Sequence, residues 1–276
     1  MIKIRNEYKL VEAEERCRGY RKRILDISQN VSALHAAGAF SCTEIVDTIY
    51  YALMRKENNQ LTDEFILSKG HSCILQYLIL NDLGYLTDND IKLYCKPGGK
   101  LGCHPDYGNP GIEASTGSLG HGLALAVGIS HANKIQNNES KTFIIISDGE
   151  LQEGSTWEAL MMAANLELDN LICFLDHNGS QSYGITKEIH PKFYPIEEKI
   201  NAFNWECITF NGHSIKQIDE SYNSRKTKKP FFLLGNTIKG KGISYMEGKP
   251  VWHYKSPTPE EYKIGIEELE KGFDER

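Results

Sequence analysis

The chain has 276 residues, 40% hydrophobic and 25% charged, enough to bury one large core or two modest ones. A formal net charge of −6 without a long basic run argues against a nucleic-acid partner, and no run of about eighteen apolar residues predicts a membrane span. The first fifteen residues mix charges of both signs and lack an apolar signal core, and the seven scattered cysteines form no C-x-x-C pair, so a cytoplasmic protein with reduced thiols is expected.

In chain order, Glu12 to Ser28 reads as a polar amphipathic helix. The stretch from Thr43 to Met54 has apolar residues at helical spacing, with Thr43 placed to cap it. Phe65-Ile66-Leu67 predicts a short strand, and Ser72 to Leu83 a helix closed by Gly84. Cys95 to Ser118 is rich in Gly and Pro and long for a connection, which suits a binding loop. Ser118 to Gln136 reads as a small-residue helix, Phe143 to Ile146 as a buried parallel strand, and Gly154 to Leu168 as a helix. Leu171 to Leu175 is a second buried strand, Gln181 to Pro195 a long loop, and Cys207 to Phe210 and Phe231 to Leu234 further strands. Glu260 to Glu270 reads as a charged terminal helix. With no internal repeat and no low-complexity linker, residues 1–276 read as a single α/β domain: a central, mainly parallel sheet with helices on both faces.

Two polar clusters follow the two best strands. Ser147-Asp148-Gly149-Glu150 ends the first, and Asp176-His177-Asn178 ends the second. A strand–helix–strand unit brings both to the carboxyl edge of the sheet, where open α/β sheets bind ligands. Asp148 and Asn178 carry the hard oxygens that Mg²⁺ or Ca²⁺ requires. Gly149 lets a phosphate approach the backbone, and a helix beginning near Gly154 is expected to aim amide groups at that anion.

The spacing of these clusters resembles the thiamine diphosphate motif, and wider matches resemble the transketolase family over roughly residues 10–260. The matching segments are His35 to Ser41, Ser68-Lys69-Gly70-His71, His104-Pro105, Thr116 to Gly122, Asp148 to Gly154, and His253 after a Lys-Gly-rich loop. The resemblance implies the thiamine diphosphate-binding fold and these roles. Asp148, Asn178 and the Ser180 carbonyl would hold Mg²⁺, with Ca²⁺ or Mn²⁺ as substitutes. His71, Gly149, Glu150, Asn178 and His253 would contact the cofactor diphosphate and its metal, and Gly117, Ser118 and Leu119 would lie against the cofactor. His35, His104 and His253 would face a sugar. Glu153 and Glu158 would sit near a dimer contact, where the family runs a carboxylate proton relay. The implied reaction is transfer of a two-carbon ketol unit from a ketose to an aldose, with imidazoles moving the protons.

The sequence departs from the family pattern at Ser147, where the motif has Gly, and at Tyr183, where related two-part enzymes have Asp. It also ends soon after the diphosphate-binding region. The resemblance therefore implies the N-terminal half of a split transketolase. A second chain would supply the pyrimidine domain and its activating Glu, in an α₂β₂ assembly. Other readings compete with this one. Gly235 to Gly242 nearly spells a P-loop but lacks its Ser/Thr, although a loop so rich in Gly and Lys can still meet phosphate. Gly117 to Gly122 reverses the dinucleotide fingerprint and follows no strand. The α chain of a 2-oxo acid dehydrogenase would share the cofactor but is not expected to carry four such histidines. A catalytically silent, partner-binding homologue is opposed by the intact Asp148, Asn178 and histidine set.

Overall fold

The computed structural model describes residues 10–32, 34–58, 60–182 and 184–271. It opens with helices α1 (Leu10–Ser28), α2 (Ala36–Ser41) and α3 (Thr43–Thr48), then a small hairpin, β1 (Lys56–Glu57) and β2 (Gln60–Leu61). Strand β3 (Glu64–Leu67) leads to α4 (Cys73–Asp82), α5 (Asp88–Lys92) and, after a long loop, α6 (Gly122–Ile135). Strand β4 (Thr142–Ser147), α7 (Gly154–Asn165) and β5 (Leu171–His177) form the expected strand–helix–strand unit. A hairpin of β6 (Ser180–Gln181) and β7 (Gly184–Ile185) follows, then α8 (Thr186–Ile189) and α9 (Ile196–Ala202). The chain closes with β8 (Glu206–Asn211), α10 (Ile215–Asn223), β9 (Phe231–Asn236) and α11 (Pro259–Lys271). Five strands pair in parallel in the order β3-β4-β5-β9-β8.

The uninterrupted apolar runs have a simple cause. Successive side chains of a strand point to opposite faces, so a strand covered on both sides must be apolar at every position. Phe143 and Ile145 join Phe174, Phe231 and Leu233 in one core, roofed by α1 to α4 and α10. Ile144 and Ile146 join Cys173, Leu175 and Phe232 in the other, roofed by α6, α7 and α9. Full burial of each such large side chain contributes about 1.5–3 kcal/mol. Helices on both faces of a parallel sheet are as the sequence predicts.

The local differences have physical reasons. Thr43 does not cap its helix: the chain is already helical in α2, and Thr43 Oγ1 donates back to Ala39 O at 3.0 Å. Helix α6 starts at Gly122 because Gly117 and Gly120 hold φ of +124° and +86°, outside the helical region. The stretch expected as a loop from Gln181 to Pro195 contains the β6–β7 hairpin and α8. Tyr183 lies outside the described residues. Helices α5, α9 and α10 are too short and polar for apolar periodicity to reveal them. Two of them carry readable caps: Thr87 and Asp90 form a capping box, and Ser214 Oγ accepts the Gln217 N–H at 3.3 Å.

Candidate active site at the carboxyl ends of the strands

Parallel pairing sets Ser147 beside Asp176, and His177 beside Asn236, so three strand exits meet at one edge. Asp148 opens a tight turn spanning Asp148–Gln152 and is fully buried. Its Oδ2 accepts the Gly179 N–H at 2.8 Å, and its Oδ1 meets His177 Nδ1. The Asn178 Oδ1 accepts the Ser180 N–H at 3.0 Å, which curls the 178–180 loop around Asp148. This turn, rather than the start of α7, presents backbone N–H groups to the pocket. Gly154 lies past the turn, exposed and off the pocket wall, so the expectation that α7 aims at the anion does not hold.

Glu150 is also displaced from its expected role. Its carboxylate turns inward, accepting the Ser147 N–H at 3.0 Å and the Gly120 N–H at 3.3 Å and meeting Ser68 Oγ. Three donors from the ends of β3 and β4 and the approach to α6 saturate it, and burial pushes its carboxyl up. It is a strut behind the wall; Gly149 is the residue of the turn that faces the cavity.

A buried ion pair stands beside the turn. Asp176 meets Lys69 Nζ, which also donates to Gly38 O at 2.8 Å, and Asp176 accepts from Asn178 Nδ2 at 3.1 Å. Burial alone would raise the Asp176 carboxyl; Lys69, Ser41 and Thr237 override that and hold it below its usual range.

Above this floor three imidazoles converge. His35 precedes α2, His71 lies in the turn after β3, and His253 lies in a single turn spanning Pro250–Tyr254. Ring centroids are 5.2 Å apart for His35–His71 and His35–His253, and 5.6 Å for His71–His253. Burial, with neighbouring cations, pushes His35 down to about 4 and His253 down to about 3, and drives His71 well below its ordinary value. All three are therefore neutral near pH 7. Lys239, 3% exposed, reaches His253 Nδ1 at 2.8 Å, and burial lowers it to about 8. A charged Lys239 donates to Nδ1 and leaves the ring's own proton on Nε2.

The loop from 95 to 118 completes the wall. Gly117 has no side chain because a Cβ there would lie 2.3 Å from His104 Cδ2. His104 thus packs on Gly117, with its carbonyl accepting from Tyr77 Oη at 2.8 Å. The inner cavity, about 190 Å³, brings together His35, His71, His104, Gly117, Leu119, Gly149, Asn178, Ser180 and His253. Asp148 lies beneath it. Ser118 is exposed, with Oγ 3.4 Å from His121 Nδ1, and does not line the cavity. Glu153 and Glu158 are exposed on α7 and its approach, outside the cavity. A wider outer cavity of about 670 Å³ continues from His35, His104 and His253 past Asn30, Tyr94 and Tyr254.

Sequence reading misses Lys69, Asp176, Ser41 and His177 as parts of the site. Lys69 stands inside the matching Ser-Lys-Gly-His segment, and Asp176 heads the second polar cluster, so both signals are present. The Lys-Gly-rich loop expected to meet phosphate supplies Lys239.

The family described as "Transketolase, thiamine diphosphate binding domain" matches residues 15–265, and the chain belongs to it. Among curated proteins it is 35% identical to one of the two kinds of chain that its relatives' names distinguish by letter, the A chain of the apulose-4-phosphate transketolase of Phocaeicola vulgatus, covering 90% of each. It is 35% identical to the 6-deoxy-6-sulfo-D-fructose transketolase subunit SqwG of a Clostridium species, covering 95% of this chain and 97% of that one. Human transketolase is 32% identical over 82% of this chain, which spans 36% of the human protein. The crystal structure of Campylobacter jejuni transketolase superposes with a TM-score of 0.88 at 27% identity, covering 95% of this chain and 43% of that one.

Proposed function

We propose that the chain is the diphosphate-binding half of a two-chain, thiamine diphosphate-dependent transketolase that moves a ketol unit from a ketose to an aldose. The observation that carries this is the convergence of three neutral imidazoles and two buried lysines over the Asp148 turn. The residues fit the cofactor. The Gly149 turn, His71 and Lys239 suit a diphosphate. Asp148, the Asn178 amide oxygen and the Ser180 carbonyl are a hard-oxygen set suited to Mg²⁺. Among the described residues no cluster of three or more His, Cys, Asp and Glu competes for a metal.

When bound, the cofactor supplies the electron sink for the carbon–carbon bond that breaks. The chain's own residues do the rest. His35, His104 and His253 hold the donor's hydroxyls and move its protons. A neutral imidazole accepts a proton, and an arriving diphosphate raises the lowered histidines toward the working range. The outer cavity offers Asn30, Tyr94 and Tyr254 and no lysine or arginine among its described lining residues. It suits the hydroxylated carbon chain of the sugar, while an anionic tail falls to the partner.

A second chain would supply the pyrimidine domain and the activating carboxylate, in an α₂β₂ assembly; relatives that are named as single subunits of transketolases support a partner. Helix α7 leaves Met161 and Met162 about half exposed beside Glu158, and α6 leaves Leu125 exposed, a face suited to such a contact. Seven unpaired thiols suit a cytoplasmic setting.

The test is to co-purify the native partner and assay ketose and 2-oxo acid donors in parallel. Ketol transfer is expected from the pair and almost none from the chain alone. Turnover confined to 2-oxo acids, or robust turnover by the single chain, would overturn the proposal.

A further inference from the structure

Lys239 occupies a loop that leaves the sheet after Asn236, and its grip on the pocket depends on how that loop is held. Thr237 N–H donates to His177 O at 3.0 Å, and Gly240 N–H donates to Ala37 O at 2.9 Å. Between these anchors, the Ile238 N–H donates to His213 Nε2 at 2.8 Å. The Ile238 side chain is 39% exposed, so burial does not hold this residue in place. The close approach is possible because Gly212 lacks a side chain: a Cβ there would lie 2.4 Å from Thr237 Cγ2.

His213 is itself clamped from behind. Its Nδ1 lies 2.9 Å from Glu44 Oε2. Glu44, on α3, receives both guanidinium nitrogens of buried Arg21, at 2.5 and 2.8 Å, and the same Arg21 donates to Phe40 O at 2.8 Å. Because Nε2 accepts from Ile238, the ring's proton must sit on Nδ1, where the ionised Glu44 takes it. One tautomer satisfies both bonds.

We infer that His213 is a positioning residue, a tautomer-locked brace that fixes the Lys239 loop to the α2–α3 unit carrying His35, and so sets the cofactor affinity of the site. The inference rests on reading Lys239 as part of a diphosphate site. Ordinary helix and sheet contacts do not hold the apex of the loop; the side chain of His213 does.

Two variants separate the two bonds. His213→Asn keeps a donor near Nδ1 for Glu44 but removes the acceptor for Ile238. His213→Gln places an acceptor near Nε2 but releases Glu44. In the reconstituted two-chain enzyme, calorimetric titration with thiamine diphosphate and Mg²⁺ should show Kd raised roughly 3–10-fold in His213→Asn, the scale of one lost hydrogen bond. His213→Gln should stay within about twofold of wild type, while both variants lose similar amounts of melting temperature without cofactor. A merely structural histidine would give both variants the same cofactor affinity, and that result overturns the inference. Lys239→Met is the control. If it binds cofactor as wild type does, the diphosphate reading of the loop fails. If it binds weakly while His213→Asn is unchanged, the brace alone fails. Hydrogen exchange gives a readout without substitution: the Ile238 amide should be protected in the wild-type enzyme, and free exchange there refutes the brace.

Discussion

The two ends of the parallel sheet are both rich in charge, but they keep it differently. At the amino end, Arg55 lies 3.9 Å from a Glu139 side chain that is 92% exposed, and Lys228 and Lys229 stand in water. At the carboxyl end, Asp148, Asp176 and Lys69 are 0–1% exposed. An ion in water costs almost nothing to keep, whereas a buried one must be matched by partners or it destabilises the fold. Buried charge therefore marks the end of the sheet where something other than stability is being served.

The sharpest break of that comparison is catalytic. His35→Ala should lower kcat/KM for a ketose donor roughly 10²–10⁴-fold in the two-chain enzyme, the range for losing an acid–base group, with cofactor affinity little changed. Lys229→Ala at the opposite end should leave kcat/KM within about twofold. Steady-state kinetics with one ketose donor compare the two directly. Equal effects, or a His35 variant as active as wild type, would remove the distinction between the ends.

The next effect is on stability. Lys69→Met strands Asp176 as a buried, uncompensated carboxylate and should cost about 3–5 kcal/mol. Lys216→Met breaks a pair to Glu220 at 3.8 Å, with side chains 71% and 60% exposed, and should cost about 0–1 kcal/mol. Urea unfolding of both variants measures the ratio. A Lys69 variant that loses no more than the Lys216 variant would mean that Asp176 finds another partner.

Much of this contrast is legible in the sequence, and the limits of that reading are instructive. The runs Phe143 to Ile146 and Leu171 to Leu175 had to be strands buried on both faces, and that alone placed Asp148 and Asn178 at a shared edge. His35, His71, His104 and His253 came from a resemblance, and the fold brings them to one cavity. What the sequence hid was the direction of side chains. Glu150 sits one residue from the pocket yet turns inward, because three hydrogen-bond donors from other elements converge on it. Lys239 looked like part of an incomplete P-loop; only the tertiary approach of His213, Ala37 and His253 gives its loop a shape. Such contacts depend on chain packing across long separations, which local periodicity does not encode.

A smaller effect concerns the metal. Asp148→Ala and Asn178→Ala each remove one proposed hard-oxygen ligand. Each should weaken Mg²⁺-dependent cofactor binding at least as much as losing an outer-shell partner does, roughly 10–100-fold. Titrations with and without chelator isolate the metal-dependent part. Unchanged affinity in both variants would place the metal elsewhere.

The smallest predicted effect is a pH slope, and it sharpens the comparison because only the carboxyl end carries the lowered imidazoles. An unfolded histidine titrates near 6.5, whereas burial holds folded His35 to about 4 and His253 to about 3. Between those values the unfolded chain binds more protons, so stability falls as pH drops from about 6.5 toward the folded values. The cofactor-free chain should therefore lose melting temperature between pH 7 and 4.5. Glu150, whose carboxyl is raised by burial, acts in the opposite sense over part of that window, so the informative quantity is a difference between variants. His253→Asn removes one lowered group and should give a shallower fall than wild type. His190→Asn, an exposed histidine outside the cavity, should leave the slope as it is. Parallel slopes for wild type and His253→Asn would show that the carboxyl-end imidazoles are as well solvated as that surface histidine. The claim that this end of the sheet stores desolvated groups would then fail.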